Sequence, residues 1–194
     1  MKVYLAGPDV FLPDPLARGQ ALKAICAAQG LDGVFPLDPL GVAEPAAWSA
    51  LPSWQRISLR NEAHIRGCGL LIANLTPFRG PSADAGTVFE LGFMRALGRP
   101  VFGWSNVAAP FAERTRRFLG EQAAAATDGT WHDAAGMALE SFGCGDNLMI
   151  DGAIHASGGH LITHDVAAAR LWSDLAAFAQ CVERAARWLG EADA

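Results

Sequence analysis

The chain has 194 residues and is 51% hydrophobic, which is enough for a single α/β domain with a substantial core. Its formal net charge is −5 and its 15 basic residues form no run, so nucleic acids and anionic membranes are not expected as partners. The cysteines are widely spaced and no apolar stretch has the length of a membrane span, so we expect a cytoplasmic protein with reduced thiols.

The first part of the chain predicts two strands separated by a helix. Residues 2–6 form a short apolar run that ends at a Gly-Pro pair, which is typical of a buried parallel strand followed by a turn. Residues 16–29 carry apolar side chains at helical spacing and end before Gly30, a residue suited to a helix C-terminus. Residues 33–37 predict a brief second strand, and a proline-containing loop follows at 38–52.

The middle of the chain continues the alternation of helix and strand. A helix is predicted from Ser53, with Trp54, Ile57, Asn61 and Ile65 on one stripe. Residues 68–75 are the most strand-like run, 79–100 predict a loop leading into a helix, and 99–104 predict a fourth strand. This alternation predicts a doubly wound parallel sheet whose right-handed crossovers bring the carboxyl ends of the strands together.

The last part of the chain is less regular. Residues 107–146 contain a helix around 112–119 and are expected to form a lid or an intersubunit element. Residues 148–150 could form a short fifth strand, and 171–189 predict a final amphipathic helix. Among the histidines only 160 and 164 have the i, i+4 spacing of metal ligands, and His160 lies in a glycine-rich loop, so no metal site is expected.

Glu90 is the most informative residue of the chain. On a helical wheel it lies between Phe93, Met94 and Leu97, whereas Arg95 faces water. An unpaired carboxylate in an apolar face costs several kcal/mol, so Glu90 needs hydrogen-bond partners, a raised pKa or a function. Its helix begins at the carboxyl edge of a strand, where α/β proteins bind ligands, and we therefore expect Glu90 to face that crevice. A glutamate satisfied by backbone donors is the alternative.

Three further polar side chains are predicted at the same crevice, each with a structural alternative. Asp84 begins the helix and could be only its N-cap, Asn61 could be a half-buried amide, and Tyr4 could be a core residue. Two carboxylates and a phenol are suited to glycosyl transfer, because a carboxylate can capture an oxocarbenium-like sugar carbon as a covalent intermediate.

Three motifs in this order resemble the nucleoside 2-deoxyribosyltransferase family over residues 1 to about 151. They are Tyr4-Leu-Ala-Gly-Pro, the segment 72–93 with its Asp-x-Gly-x-x-x-Glu-Leu-Gly element, and Asp146-Asn-Leu-Met-Ile. The resemblance implies a flavodoxin-like fold, which we expect as a three-layer α/β sandwich with a mostly parallel five-stranded sheet in one domain over 1–194. It also implies a homodimer or hexamer with shared active sites, no cofactor, and exchange of bases on deoxynucleosides through a covalent deoxyribosyl-enzyme that is slowly hydrolysed.

The resemblance also assigns roles to single residues. Glu90 matches the nucleophile, Tyr4 the tyrosine that orients it, and Asp84 the carboxylate that holds sugar hydroxyls. Asn61 stands where several family members carry an aspartate that protonates the leaving base; an amide can hydrogen-bond a base but cannot deliver a proton. The other expected substrate-binding residues are Phe11, which would stack on the base, Asn147, which a neighbouring subunit would contribute to the 5′ end of the sugar, Asp146 and Gly7.

Three alternatives stay open at this point. In the related nucleoside 5′-monophosphate N-hydrolases a serine replaces the residue that matches Asp84, and an anionic Asp84 would repel a phosphate. The segment Gly86-Thr-Val-Phe-Glu90 also echoes a phosphoribohydrolase motif, although the Gly-Gly and the basic partners of that motif are missing. The third alternative is a domain that binds nucleosides or nucleotides without turnover.

Overall fold

A computed structural model describes residues 1–192 and contains a five-stranded sheet in which all neighbouring strands are parallel. The strands are β1 (Lys2–Ala6), β2 (Asp32–Val34), β3 (Leu70–Asn74), β4 (Val101–Ser105) and β7 (Leu161–Thr163), whereas β5 (Ala124–Ala125) and β6 (Trp131–His132) lie outside this sheet. Side by side, the five strands have the order β2-β1-β3-β4-β7. The chain builds outward in one direction from β1 to β2 and in the other direction from β3 onward, as in flavodoxin-like doubly wound folds, which confirms the predicted fold class.

Helices cover both faces of the sheet and complete the three layers. Val3 and Leu5 of β1 belong to one core cluster, which includes residues of α1 and α6, whereas Tyr4 and Ala6 belong to the other, which includes residues of α2, α3 and α5. This division follows from the alternation of side chains along a strand. The helices are α1 (Pro15–Ala28), α2 (Ser53–Gly67), α3 (Ala85–Ala96), α4 (Phe111–Leu119), α5 (Leu148–Ala156) and α6 (Ala176–Ala192).

The prediction of a fifth strand at 148–150 is wrong, because these residues begin helix α5. The Asn147 side chain accepts a hydrogen bond from the Met149 amide and caps the helix, and Ile150 and Ile154 are buried one turn apart. A run of three apolar residues is too short to separate a strand period from a helix period. The fifth strand is β7, which pairs in parallel with β4.

Two other predicted segments differ in detail from the structure. Within 107–146, α4 is followed by a short antiparallel pair, β5 (Ala124–Ala125) and β6 (Trp131–His132), and the predicted role of this segment as a lid or intersubunit element remains a prediction. The last helix begins at Ala176 rather than at 171, because the side-chain amide of Asn106 donates to two carbonyls of the preceding turn, those of Leu171 and Asp174.

No helix within 1–192 is both long and apolar enough to cross a bilayer.

Candidate active site

A cavity of about 330 Å³ lies beside the carboxyl ends of β1 and β2 and the start of α3. Its volume is at the lower end of the range of small-molecule sites, roughly 300–1,000 Å³. Part of the wall is apolar and comes from the loops after β1 and β2 and from α2. The polar residues of the wall are Arg60, Asn61, Asp84, Thr87 and Glu90.

The structure brings Glu90, Tyr4 and Asn61 together as predicted from the sequence. The Tyr4 hydroxyl donates to Oε1 of Glu90 over 2.7 Å, and Nδ2 of Asn61 donates to the same oxygen over 3.2 Å. Within residues 1–192, Oε2 of Glu90 has no hydrogen-bond partner. One carboxylate oxygen is therefore held in place, whereas the other is available to a ligand in the cavity.

The surroundings of Glu90 bring its pKa close to neutral. Burial raises the pKa of Glu90 to about 7, and the negative charge of Asp84 also raises it, whereas the hydrogen bonds from Tyr4 and Asn61 lower it. Burial and the adjacent Glu90 raise the pKa of Tyr4 far above its usual range, so Tyr4 stays a phenol and a donor. Near neutral pH, a substantial fraction of Glu90 is thus an ionised and poorly solvated carboxylate, which is a good nucleophile.

Asp84 caps helix α3 and also lines the cavity, whereas its contact with sugar hydroxyls remains a prediction. Its Oδ2 accepts from the Thr87 amide over 3.0 Å and from the Thr87 hydroxyl over 3.1 Å. Its Oδ1 has no hydrogen-bond partner within 1–192. The cap fixes the side chain, and the second oxygen can accept a hydrogen bond from a ligand hydroxyl.

Phe11 lies at the edge of the cavity with 58% of its surface exposed. Its ring is stacked on Phe78, with centroids 5.4 Å apart and planes 10° apart, and the Arg79 guanidinium lies over both rings. A flat aromatic wall of this kind suits a nucleobase, but the predicted stacking itself remains a prediction.

Gly7 lines the cavity where the chain passes close to a buried polar network. A Cβ atom at this position would lie 2.6 Å from Oδ2 of Asp9 and 2.7 Å from Cβ of Asn74, so no larger residue fits. Asp9 is 2% exposed and accepts from Nε of Arg18 over 2.7 Å and from Nδ2 of Asn74 over 2.8 Å. This network holds the turn that carries Phe11. Sequence analysis did not identify it, because its members are far apart in the chain.

Asn147 and Asp146 are not brought to the Glu90 cavity within one chain. Asn147 lies at the N-terminus of α5 and lines a different cavity of about 1140 Å³, which is mostly apolar and bordered by residues of α3 and α5. The side-chain Nδ2 of Asn147 donates to Oε2 of Glu140 over 2.7 Å. Asn147 therefore does not line the cavity that contains Glu90, and its predicted contact with the substrate remains a prediction.

Asp146 is 1% exposed and both of its oxygens already accept hydrogen bonds from the protein. Its donors are the Ser82 hydroxyl, the Ala83 and Asn147 amides, and the Arg114 guanidinium, which is 3.1 Å away. In this arrangement Asp146 has no free carboxylate oxygen for the predicted contact with a substrate. The contacts instead tie the loop before α3 to the N-terminus of α5.

Arg60 is a cavity residue that sequence analysis did not identify, because a single charged residue on a helix has no local pattern that places it at a site. The apolar stripe of α2 is also different from the prediction: Trp54 and Ile57 are exposed, whereas Ile65 is buried. Ile57 instead lines the cavity. Within 1–192 there is no cluster of three or more His, Cys, Asp or Glu side chains with the arrangement of a metal site.

Comparison with known proteins identifies the family of the chain. Residues 3–149 match the model of the family described as nucleoside 2-deoxyribosyltransferase. An uncharacterized protein of Schizosaccharomyces pombe is 34% identical over 166 residues, which are 81% of this chain and 78% of the relative. The solved structure of a 2-desoxiribosyltransferase from Leishmania mexicana is 31% identical, with a TM-score of 0.59 over 94% of this chain and 97% of that one.

A second solved structure supports the fold alone. It is a conserved protein from Enterococcus faecalis V583 that is 19% identical, with a TM-score of 0.53 over 95% of this chain and 98% of that one. The family match covers the strands and helices that build the Glu90 cavity, including the motif from Asp84 to Glu90. The chain thus belongs to the nucleoside 2-deoxyribosyltransferase family and is an enzyme of the glycosyltransferase or N-glycosidase type.

Proposed function

We propose that this protein transfers the 2-deoxyribosyl group between nucleobases, with Glu90 as the nucleophile. The observation that carries the proposal is the asymmetry of the Glu90 carboxylate at the wall of the cavity: Tyr4 and Asn61 hold Oε1, whereas Oε2 has no partner within 1–192. Family membership supports the same reaction, and no cofactor is needed for it. The protein would act in nucleotide salvage in the cytoplasm.

The reaction takes two displacements at the anomeric carbon of the sugar. Oε2 of Glu90 bonds to C1′ while the C1′–N bond breaks, and the bonding electrons leave with the base. A nitrogen of the second base then attacks C1′, loses its proton, and releases the Glu90 carboxylate. Water can take the place of the second base, so slow hydrolysis of the nucleoside is expected as a side reaction.

Asp84 would select the substrate at the sugar. Its free Oδ1 can accept a hydrogen bond from a sugar hydroxyl, and its negative charge would repel a 5′-phosphate. This favours a nucleoside over a nucleoside 5′-monophosphate, which is the substrate of the main alternative function. The flat wall at Phe11 would receive the base.

We also propose that the active site is shared between two subunits of a homo-oligomer, a homodimer or a hexamer. The cavity bordered by α3 and α5 is lined by apolar side chains that stay at least partly exposed in the single chain, among them Val88, Leu148 and Met149. Contiguous exposed apolar surface is typical of association sites in soluble proteins. α3 borders this surface with one side and the Glu90 cavity with another, so a subunit bound here could bring its own Asn147 to the ligand of Glu90.

Incubation of the protein with a deoxynucleoside and a second free base tests the proposed reaction. We expect a new deoxynucleoside by chromatography, and, without the second base, a protein heavier by one deoxyribosyl unit at Glu90 by mass spectrometry. Glu90→Ala should abolish both signals. Glu113→Ala is the matched control, because Glu113 is an exposed carboxylate on α4 that pairs with Arg117.

The other outcomes separate the alternatives. Near-native exchange by Glu90→Ala would contradict the covalent mechanism. Release of base from a deoxynucleoside 5′-monophosphate, without exchange, would favour the N-hydrolase function. Binding of nucleosides by the wild type without release of base would favour a non-catalytic binding domain.

A further inference from the structure

The Glu90 cavity has a cationic side chain that the proposed mechanism does not yet use. Arg60 lines the cavity from α2, one residue before Asn61. Its Nε donates to Oε1 of Glu44 over 2.9 Å, and Nη2 contacts the same oxygen. Within 1–192, Nη1 of Arg60 has no hydrogen-bond partner, so a residue that lines the cavity keeps a charged donor without an acceptor.

The charge of Arg60 is not cancelled by its ion pair. Glu44 also pairs with Arg56, whose Nη2 lies 3.7 Å from Oε2 of Glu44. The group of Arg56, Arg60 and Glu44 therefore keeps a net charge of about +1, because an arginine is ionised at any physiological pH. Of the two arginines, only Arg60 lines the cavity.

Arg60 shares a face of α2 with Ile57, three residues earlier, and Ile57 is part of the apolar wall of the cavity. The two carboxylates, Asp84 and Glu90, come instead from the start of α3. Apolar walls of this kind fit a flat ring with few polar groups. The residues of the apolar wall are Val10, Phe11, Pro36, Leu37 and Ile57.

The leaving base needs stabilisation that Asn61 cannot supply. Without a general acid, the base departs with the electrons of the broken C1′–N bond and carries a negative charge. In a base with a ring carbonyl this charge is shared by the carbonyl oxygen, which accepts strong hydrogen bonds from a cation. An arginine cannot give up its proton at neutral pH, but a fixed guanidinium can stabilise the developing anion.

We infer that Arg60 is a catalytic residue that donates a hydrogen bond from Nη1 to a carbonyl oxygen of the leaving base, so that oxo-bases are the preferred leaving groups. The inference rests on the proposed function and names its substrate class. It also explains how the site works with an amide at position 61: Asn61 holds Glu90, and Arg60 stabilises the base. Glu44 keeps the guanidinium in place at the wall of the cavity.

Arg60→Met tests the inference with pairs of donors that differ in one group of the base. Deoxyinosine has a carbonyl where deoxyadenosine has an amino group, so this purine pair is the decisive one. Deoxyuridine and deoxycytidine differ in the same way at C4, but both keep the C2 carbonyl, so the pyrimidine pair reports only on a contact at C4. We expect Arg60→Met to lower kcat/KM for the oxo-base donor roughly 10- to 100-fold, as for loss of a hydrogen bond to a charged group, and to change the amino-base donor much less. Added guanidinium should restore part of the activity of Arg60→Ala.

Arg56→Met is the matched control, since Arg56 pairs with the same carboxylate but does not line the cavity; its donor preference should equal that of the wild type. Equal losses for both donors in Arg60→Met, or no loss for either, would overturn the role of Arg60 while leaving the proposed function intact. If the wild type releases base from none of the four donors, the proposed function itself fails and the inference fails with it.

Discussion

At the scale of single residues, the chemistry of the site depends on opposing influences on one carboxylate. Burial and Asp84 raise the pKa of Glu90, and the hydrogen bonds from Tyr4 and Asn61 lower it. The donors therefore allow the buried residue to ionise near pH 7, and burial keeps the ionised carboxylate reactive. Tyr4 can act in this way because it alternates with Val3 and Leu5 along β1 and so faces the helix layer that contains α3.

This balance predicts a pH dependence. The nucleophile must be ionised, so kcat/KM for a deoxynucleoside should rise with pH and level off above the pKa of Glu90, which is about 7. Tyr4→Phe removes a hydrogen bond that lowers this pKa, so the rising limb should move to higher pH and activity at pH 7 should fall. Asn61→Ala should move the limb less, because its hydrogen bond is the smaller influence.

The pH–rate profiles of the three proteins check this prediction. If the rising limb of the Tyr4→Phe profile has the same apparent pKa as that of the wild type, the phenol does not control the ionisation of Glu90. This conclusion would hold whatever the plateau rate of the variant.

The negative charge of Asp84 predicts that the enzyme prefers a nucleoside to a nucleotide as substrate. A phosphate about 4 Å from this carboxylate would meet a repulsion of roughly 1 kcal/mol per charge pair in water, and about 4 kcal/mol at the lower effective dielectric near a protein. Asp84→Ser removes the charge at the N-terminus of α3, a position that otherwise favours anions. We expect this variant to lose nucleoside activity and to gain affinity for a deoxynucleoside 5′-monophosphate, measured by calorimetry.

The wild type provides the opposite test. Equal use of the nucleoside and the monophosphate by the wild type would remove the proposed role of Asp84 and favour the N-hydrolase function.

At the scale of secondary-structure elements, the loop before α3 is held by one buried ion pair. Arg114 of α4 donates to the carbonyls of Pro81 and Gly145, each over 2.7 Å, and its Nη2 lies 3.1 Å from Oδ2 of Asp146. Burial lowers the pKa of the Arg114 guanidinium, and the Asp146 carboxylate opposes this. The irregular segment between β4 and α5 thus has a structural function: it positions the loop that leads to Asp84.

Removing one partner of this ion pair should destabilise the protein strongly. Asp146→Ala leaves the Arg114 charge buried and unpaired, and we expect a loss of about 3–5 kcal/mol in the free energy of unfolding. Glu113→Ala breaks the exposed pair with Arg117 and should cost at most about 1 kcal/mol. Urea denaturation measures both values. A loss of less than about 1 kcal/mol for Asp146→Ala would mean that the pair does not hold the loop.

At the scale of the whole molecule, α3 separates two cavities with different chemistry. One contains Glu90 and Asp84, and the other is larger, apolar and bordered by Asn147. In a single chain the second cavity remains open, and Asn147 does not border the first. A homo-oligomer that buries the apolar surface would give each site residues from two chains.

Mixing inactive subunits tests the shared site. We expect Glu90→Ala and Asn147→Ala to be nearly inactive by themselves, and their reassembled mixture to regain roughly a quarter of the sites, if assembly is random and each site takes one residue from each chain. Recovery of exchange activity after joint refolding measures this. Oligomers that are shown to contain both variants but have no activity would place both residues in one chain.

The sequence by itself determined the features that depend on local periods. The runs that became β1, β3 and β4, the helical spacing of α1 and α3, and the cap at Asp84 were predicted from their own residues. The family resemblance added the pairing of Tyr4 with Glu90. These predictions succeeded because backbone hydrogen bonding, helix capping and the alternation of side chains act within a few residues.

Only the tertiary structure decided which residues far apart in the chain meet. It replaced a predicted strand at 148–150 by α5, and it joined Asp9 to Arg18 and Asn74, and Asp146 to Arg114. It also placed Arg60 in the wall of the cavity. The physical reason is that a short apolar run or a single charged residue has no local period that fixes its partner, and its partner depends on which elements the sheet order makes neighbours.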